Sequence, residues 1–459
     1  MTQHPPSETT PATAPDATDG RAGERTDAPA GATDAGRPAG AAAPLTRRRL
    51  LGGVGLAGGA GLALGAAGGG VWGHAHARAE APTPLRAVGE RRVPFHGTHQ
   101  AGIADPVVAQ AHGHLVAFDL APGAGRREAA ALLRRWSRAA ERLTRGEVPD
   151  GDHSGVALDA GPCALTVTFG FGRSFFDRTG LVARRPSGLA QPLPRFSADA
   201  LDPRRSDGDL WVQIGADDAL VAVAALDVLR RLAAQGPGGC TARLRWHMRG
   251  FNRTPGAVAQ PRTSRNLMGQ VDGTNNPRPE DEDFADHVFV PRDGSEPDWL
   301  AGGSYAVVRR IRMLLDDWEA EPLARQEAVI GRRKSDGAPL SGGDETTPVD
   351  LEKRDAEGRP VIPANAHVRV AAPQTNGGAT MLRRSFSYHD GFREDGSPDA
   401  GLLFVCWQAH PDRGFVPVQR KLDRGDALSR YVRHEASALF AVPGGARPGE
   451  YVGQRLLEG

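Results

Sequence analysis

The sequence predicts an α+β fold made of two tandem duplicated ferredoxin-like domains, each with an antiparallel sheet and helices packed outside it. Strand-like and helix-like segments follow one another in the order β-α-β-β-α-β, which is the split βαβ plan. The same order returns in the second half, after a long connection that contains many Pro and Gly residues. A chain of 459 residues is long enough for both domains.

The first domain is predicted to occupy residues 80–255. Its four strands share alternating or continuous apolar residues and are predicted at 112–120, 164–169, 210–215 and 241–248. Its two helices share apolar residues at helical spacing and are predicted at 126–145 and 219–234.

The second domain is predicted to occupy residues 304–459, after a connecting segment at 256–303. The same patterns predict four strands, at 304–313, 380–388, 402–407 and 437–442. They predict two helices, at 318–330 and 422–433, and a polar, turn-rich segment at about 332–363. We expect a functional site where the two domains meet.

Charge and cysteine content exclude several classes of protein. The 56 basic residues nearly balance the 55 acidic ones, which argues against a nucleic-acid-binding protein. The three cysteines lie far apart and have no zinc-type spacing, so at most one disulfide can form. A homo-oligomer is compatible with this composition.

The N-terminal segment is predicted to stay outside the folded domains. Residues 1–45 contain no aromatic residue and one large aliphatic, Leu45, so they cannot bury enough apolar surface to order themselves. We therefore expect residues 1–45 to be a disordered extension.

Residues 46–79 have the three parts of an export signal. The arginines of Thr46-Arg-Arg-Arg49 precede a weakly apolar Gly/Ala/Leu run, and Ala75-His-Ala-Arg-Ala79 offers small-residue cleavage points. Paired arginines indicate the twin-arginine pathway, whose machinery exports folded proteins and often proteins that carry a cofactor. The alternative is a membrane span, which the many glycines disfavour, so we expect no stable span and a secreted or cell-envelope protein.

The connecting segment holds a candidate catalytic acid. Asp272 lies in Gly269-Gln-Val-Asp272-Gly273, where the glycines permit a bend and a close approach to a flat ligand. Asp-Gly is also a common turn pair, so the pattern alone leaves both a turn residue and a working acid open.

Two further segments could contribute to a site. His367 follows the long polar loop, and the pair Arg383-Arg384 falls within a predicted apolar strand. An arginine that points inward needs an acid or an anionic cofactor, whereas both arginines could instead lie at a strand end in solvent. His112 and His114 have strand spacing that could hold a non-haem metal, although no third ligand follows at a recognisable interval.

These residues carry a family resemblance. Gly269-Gln-Val-Asp272-Gly273 resembles the GxxDG motif of dye-decolourising peroxidases, and the segment from His367 to Arg384 resembles their proximal-histidine and distal-arginine region. The segments 95–103 and 402–408 are similar to those of secreted members. The resemblance extends from residue 94 to the end and implies a dimeric α+β barrel type of fold.

The resemblance also implies a haem b site in the C-terminal domain. His367 would be the axial ligand to iron, with an unidentified acceptor on its other ring nitrogen. Asp272 and Arg383 would face the opposite side of the ring as catalytic residues. Leu403 and Phe404 would form a dry wall over that side. Further haem contacts are implied for Gly273, Thr274, Asn275, Ala372, Pro373 and Gln374. The last three stand where related proteins carry Asn-Pro-Arg, so the resemblance does not extend to an arginine contact with a haem propionate at Gln374.

The function that the resemblance implies is a haem peroxidase. It would use hydrogen peroxide to oxidise dyes and phenolic or other organic donors in one-electron steps through a ferryl intermediate. The alternatives are a deferrochelatase-like release of iron from haem for iron uptake, and a non-enzymatic secreted haem carrier. Because large dyes could not reach a buried haem, a surface aromatic such as Tyr388, Trp407 or Trp299 could relay electrons, although each is also a candidate core residue.

Overall fold

The computed structural model describes residues 86–459 except 150–151, 153, 237–238 and 256–262. The predicted extension and export signal lie outside the described residues. Glu80–Gly459 form one compact unit. In the described part of the chain, no helix is long and apolar enough to cross a membrane.

The structure contains nine strands and ten α-helices among the described residues. The strands are β1 (His112–Leu120), β2 (Thr166–Gly172), β3 (Leu210–Ala216), β4 (Ala242–Phe251), β5 (Ser304–Met313), β6 (Leu382–Arg383), β7 (Phe386–Phe392), β8 (Pro398–Gln408) and β9 (Val432–Val442). The helices are α1 (Arg86–Glu90), α2 (Arg126–Leu143), α3 (Arg173–Arg178), α4 (Ala219–Ala234), α5 (Phe284–Val288), α6 (Leu315–Glu319), α7 (Leu323–Ile330), α8 (His367–Val370), α9 (Phe415–Gly425) and α10 (Gln454–Glu458).

The two halves share one closed, antiparallel sheet. The strands run in the order β5-β9-β2-β3-β1-β4-β7-β8-β6, and β5 also pairs with β8, which closes the barrel. Within this order β2-β3-β1-β4 and β9-β5-β8-β7 each have the ferredoxin-like arrangement. The predicted fold class is thus confirmed, and the two predicted sheets join edge to edge through β2–β9 and β4–β7.

Strand alternation divides the core between the inside and the outside of the barrel. Trp211, Trp407 and Phe440 belong to the cluster that fills the interior. Residues of the opposite strand faces, such as Val116 and Val307, pack with α2, α4 and α9 in a second cluster outside. The outer face of β8 and its neighbours supports the candidate site.

Three predicted elements differ from the structure. The helix predicted at 318–330 is broken at Pro322, which lacks the backbone N–H that a continuous helix needs. The strand predicted at 380–388 is interrupted between β6 and β7, and both parts pair with β8. The helix predicted at 422–433 is wrong: α9 ends at Gly425, a 3-10 turn follows over Ala427–Tyr431, and β9 begins at Val432.

Candidate active site

The GxxDG segment forms the bend that its glycines predict. Gly269 and Gly273 have φ angles of +79° and +118°, a region that disfavours residues with a side chain. The backbone N–H of Asp272 donates to the carbonyl of Ser264 at 2.9 Å, so the loop folds back on the chain before it. The side chain of Asp272 is 30% exposed.

Asp272 forms an ion pair with Arg383. Arg383 Nη1 lies 3.1 Å from Asp272 Oδ1. Asn276 holds the same arginine: its Oδ1 accepts from the backbone N and from Nε of Arg383 at 3.2 Å each, and its Nδ2 donates to the carbonyl at 2.7 Å. The arginine is therefore fixed at both its backbone and its guanidinium group.

Arg384, the other arginine of the pair, is buried, whereas Arg383 is only partly exposed. Its Nη1 donates to the carbonyl of Val107 at 3.2 Å, and burial lowers the pKa of Arg384 to about 10. The alternative that both arginines lie in solvent is thus wrong.

A cavity of about 430 Å³ lies against the Asp272–Arg383 pair. Its lining includes Asn276 and Leu402 as well as Val107 and Val108. These two valines are more than half exposed, so the cavity reaches the protein surface. It offers a route by which a small polar molecule can reach the ion pair.

His367 begins α8 and bonds to a buried acid. Its Nδ1 lies 2.7 Å from Asp426 Oδ2, and the Asp426 side chain is only 3% exposed. The other oxygen of Asp426 accepts from the backbone N of Leu428 at 2.9 Å. Because the carboxylate accepts a hydrogen bond from Nδ1–H, the ring hydrogen of neutral His367 lies on Nδ1. The lone pair of Nε2 can then bind a metal.

Electrostatic interactions connect His367 with Asp272 and Arg383. Burial lowers the pKa of His367, but the charge and hydrogen bond of Asp426 outweigh it, so that the pKa lies above its ordinary value. Arg383 lowers and Asp272 raises this pKa by smaller amounts. The three predicted principal residues are therefore brought within electrostatic reach of one another.

The apolar wall differs from the prediction. Leu403 packs inside the barrel, whereas Leu402 and Phe404 are partly buried on the outer side of β8. The ring of Phe404 lies 6.0 Å from that of Phe415 on α9. The prediction that Leu403 and Phe404 form one wall is therefore wrong, because neighbouring residues in a strand point to opposite faces. Strand alternation could have indicated Leu402 instead.

The other predicted haem contacts are distributed around these residues. Gly273 lines the cavity, and Thr274 Oγ1 donates to Glu345 Oε1 at 3.0 Å. Asn275 and Gln374 are exposed, Pro373 begins a 3-10 turn, and Ala372 is buried. Their contacts with haem stay predictions.

The structure does not support a metal site at His112 and His114. Among the described residues there is no group of three or more His, Cys, Asp or Glu side chains that could hold a metal ion. His114 Nδ1 instead lies 2.7 Å from His247 Nε2. Burial lowers the pKa of His114 to about 3, so the two imidazoles form a neutral hydrogen-bonded pair.

The aromatic residues predicted for surface relay are core residues. Tyr388 and Trp407 are fully buried, and Trp299 is 3% exposed. The prediction of a surface position is wrong for all three. Their apolar strand and loop contexts fit a core position equally well, which is why the sequence did not separate the two cases.

Sequence reasoning missed two residues. Asp426 lay within a predicted helix, and Asn276 had no motif role, so neither could be assigned without the folded contacts. The spacing between Asp426 and His367 carries no signal because the two meet only through tertiary packing.

Comparison with known proteins agrees with this geometry. The chain matches two family models. Residues 100–252 match the model for the N-terminal domain of Dyp-type peroxidases, and residues 263–447 match the model for the C-terminal domain. It is 46% identical over 430 residues to a dye-decolorizing peroxidase of Thermobifida fusca, covering 90% of this chain and 97% of that protein. It is 36% identical over 428 residues to a deferrochelatase of Escherichia coli O157:H7, with the same coverage of 90% and 97%.

A solved structure is similar to most of the chain. The crystal structure of a DyP-type peroxidase from Streptomyces coelicolor is 66% identical, with a TM-score of 0.79, and covers 82% of this chain and 100% of its own. The two family matches together follow the two halves of the barrel. The chain belongs to the Dyp-type peroxidase family, and it is a haem-dependent enzyme that acts on hydrogen peroxide.

Proposed function

We propose that this enzyme uses peroxide to oxidise dyes and phenolic or other organic donors in one-electron steps, with His367 as the axial ligand of haem b. The observation that carries the proposal is the placement of the His367 imidazole, whose Nδ1 is bonded to Asp426, within electrostatic reach of an acid–arginine pair. Asp426 orients the imidazole, and Asn276 fixes the arginine. A protein that only carried haem would need the histidine but not the acid–arginine pair.

The residues present fit haem. The side chains of His367, Asp272 and Arg383 are each about 30% exposed, so each of them borders space that a bound molecule could fill. Leu402 and Phe404 add partly buried apolar surface on the same strand face. An imidazole, apolar flanks and a cation are the groups that a flat, carboxylate-bearing macrocycle requires.

His367 and Asp426 set the electronic character of the site. The carboxylate of Asp426 accepts a hydrogen bond from Nδ1–H of His367, and this bond strengthens electron donation from Nε2. When bound, haem supplies the iron that takes up peroxide and stores the oxidising equivalents for the donors. Asp426 is buried and held by Leu428, so the imidazole cannot rotate freely.

Asp272 and Arg383 act on peroxide from the cavity side. Asp272 takes the proton from one peroxide oxygen and delivers it to the other, which makes water a good leaving group. The guanidinium of Arg383 stabilises negative charge on the departing oxygen. Since Asn276 holds this group before peroxide enters, little reorganisation is needed during the reaction.

A deferrochelatase role is the second candidate, because proteins of that name are 36% identical to the chain over most of its length. Both roles need the same haem site. They differ in the product: a peroxidase keeps iron in the macrocycle, whereas a deferrochelatase releases it.

The haem-loaded full chain, supplied with peroxide and an organic dye, is expected to bleach the dye over many turnovers. Haem extracted afterwards should retain its iron, since Asp272 and Arg383 act on peroxide and the described residues include no cluster of three or more His, Cys, Asp or Glu side chains that could take up the released ion. Absorbance of the dye and chromatography of the extracted porphyrin measure the two outcomes. Iron-free protoporphyrin accumulating without dye oxidation would favour the deferrochelatase role.

Replacement of the distal residues should slow the reaction with peroxide. We expect Asp272→Asn to lower the rate by about 100-fold or more, because proton transfer is lost. Arg383→Ala should cost a similar factor of about 100, because a fixed charge is lost. Stopped-flow absorbance of the haem measures both rates. Arg278→Ala is the control, since this exposed arginine also lines the cavity, whereas the ion pair described for Asp272 is with Arg383. A wild-type rate in both distal variants would rule out these roles.

We further propose that the twin-arginine pathway exports the protein to the cell envelope or medium. The arginines at 47–49 and the small-residue exit at 75–79 support this proposal. Replacing Arg47, Arg48 and Arg49 together by Lys preserves charge and should abolish export, measured as the fraction of protein outside the cytoplasm. Arg78→Lys is the matched control, and undiminished export of the triple variant would contradict the proposal.

A further inference from the structure

A second cavity lies apart from the candidate active site. Its volume is about 420 Å³, and it shares no lining residue with the cavity beside Asp272 and Arg383. Three parts of the chain form it: residues 96–98, the loop at 292–301 before β5, and the C-terminal segment 443–455. The reaction with peroxide proposed above uses none of these residues.

Tight backbone packing holds one wall of this cavity in place. Gly97 N donates to the carbonyl of Ala446 at 3.3 Å, and Gly445 N donates to the carbonyl of Thr98 at 3.0 Å. A Cβ atom at Gly445 would lie only 2.3 Å from the carbonyl oxygen of Gly97, so no larger residue fits there unless the backbone moves. The cavity is therefore built on a fixed junction between residues 96–98 and the C-terminal segment.

Three arginines line this cavity, which we call the arginine cavity. They are Arg292, Arg447 and Arg455, and all three are exposed. Arg447 directly follows the backbone junction at Ala446. The carbonyl of Arg455 accepts from Arg184 Nη2 at 2.9 Å, which holds α10 beside the cavity. The guanidinium groups thus extend from anchored backbone on two different parts of the chain.

The charge of these arginines is not balanced within the described residues. None of the three forms an ion pair with a described Asp or Glu side chain, whereas Arg134 on the neighbouring α2 pairs with Glu458. Glu450 is the acidic residue of the lining, and its Oε2 accepts from the backbone N of Arg447 at 3.3 Å. Positive charges that converge on one cavity repel each other, and a bound anion relieves that repulsion.

Trp299 and Tyr451 add aromatic surface to the lining. Trp299 Nε1 donates to the carbonyl of Arg184 at 3.0 Å, and the hydroxyl of Tyr451 donates to Glu458 at 2.8 Å. Because the polar atoms of both rings are bonded within the protein, the rings offer apolar surface to the cavity. A cavity of this size and mixed lining suits a small organic molecule better than a bare inorganic ion.

We propose that the arginine cavity binds a small organic anion that carries at least two carboxylate or phosphate groups. The guanidinium groups bind its oxyanions through paired N–H donors, and the aromatic surface contacts its carbon skeleton. Such a ligand bridges the loop before β5 and the C-terminal segment, so its binding stabilises the folded chain. This binding does not depend on the peroxidase function.

Isothermal titration calorimetry of the haem-loaded full chain tests the proposal with two probes. Citrate represents the carboxylate class, and fructose bisphosphate represents the phosphate class. At least one probe should bind saturably, and the stronger probe identifies the class. Sodium chloride at the same ionic strength should give no saturable heat. Failure of both probes to bind saturably would show that the proposal is wrong.

Variants of the three arginines locate the binding site. Replacing Arg292, Arg447 and Arg455 together by Gln should weaken binding of the probe by about tenfold or more, because charge-assisted hydrogen bonds are lost. Replacing them by Lys keeps the charge but not the paired donors, so binding should weaken by about threefold. Thermal unfolding identifies a misfolded variant. If the triple Gln variant misfolds, the three single Gln variants take its place, and each should bind the probe more weakly than the wild type.

A charge-matched variant separates this site from a general attraction of anions. It replaces three exposed arginines elsewhere by Gln, namely Arg127 on α2, Arg243 on β4 and Arg325 on α7, and it should bind the probe like the wild type. Wild-type affinity in the Gln variants of the arginine cavity would overturn the proposal. All of these variants should react with peroxide at the wild-type rate, so a failure of the peroxidase function is a separate outcome.

Discussion

The hydrogen bond between His367 and Asp426 is the interaction on which the site depends. Asp426 is almost fully buried, and its two oxygens bind the imidazole and the backbone N of Leu428. One carboxylate thus starts the turn that leads into β9 and sets the tautomer of the histidine. A buried carboxylate is costly unless both of its oxygens are paired. The bond from Nδ1 to Asp426 also fixes the ring of His367 and leaves Nε2 available to bind iron.

The closed barrel provides the surface on which the residues of the site lie. β8 pairs with β6 on one side and with β5 on the other, so the strand that carries Arg383 is held against the closed sheet. Its outer face carries Leu402 and Phe404, while the alternate residues fill the interior. The sheet therefore supports the residues that act on peroxide, and the connecting loop adds Asp272 to them.

Periodicity predicted the fold well because strand alternation and helical spacing are local properties. It failed at Gly425, where a helix ends and a turn begins, and at Pro322, where backbone chemistry outweighs an apolar pattern. The resemblance predicted that His367, Asp272 and Arg383 would share a site, and the structure brings them within electrostatic reach. Partners set by tertiary packing, such as Asp426, have no signature in a single sequence.

The visible absorption spectrum of haem-loaded His367→Ala tests the central claim most directly. Because the imidazole that Asp426 orients is removed, the variant should lose haem or show altered axial ligation, and added imidazole should restore part of the wild-type spectrum. His389→Ala, at an exposed position on β7, should match the wild type. An unchanged Soret band and unchanged axial ligation in His367→Ala would contradict the account.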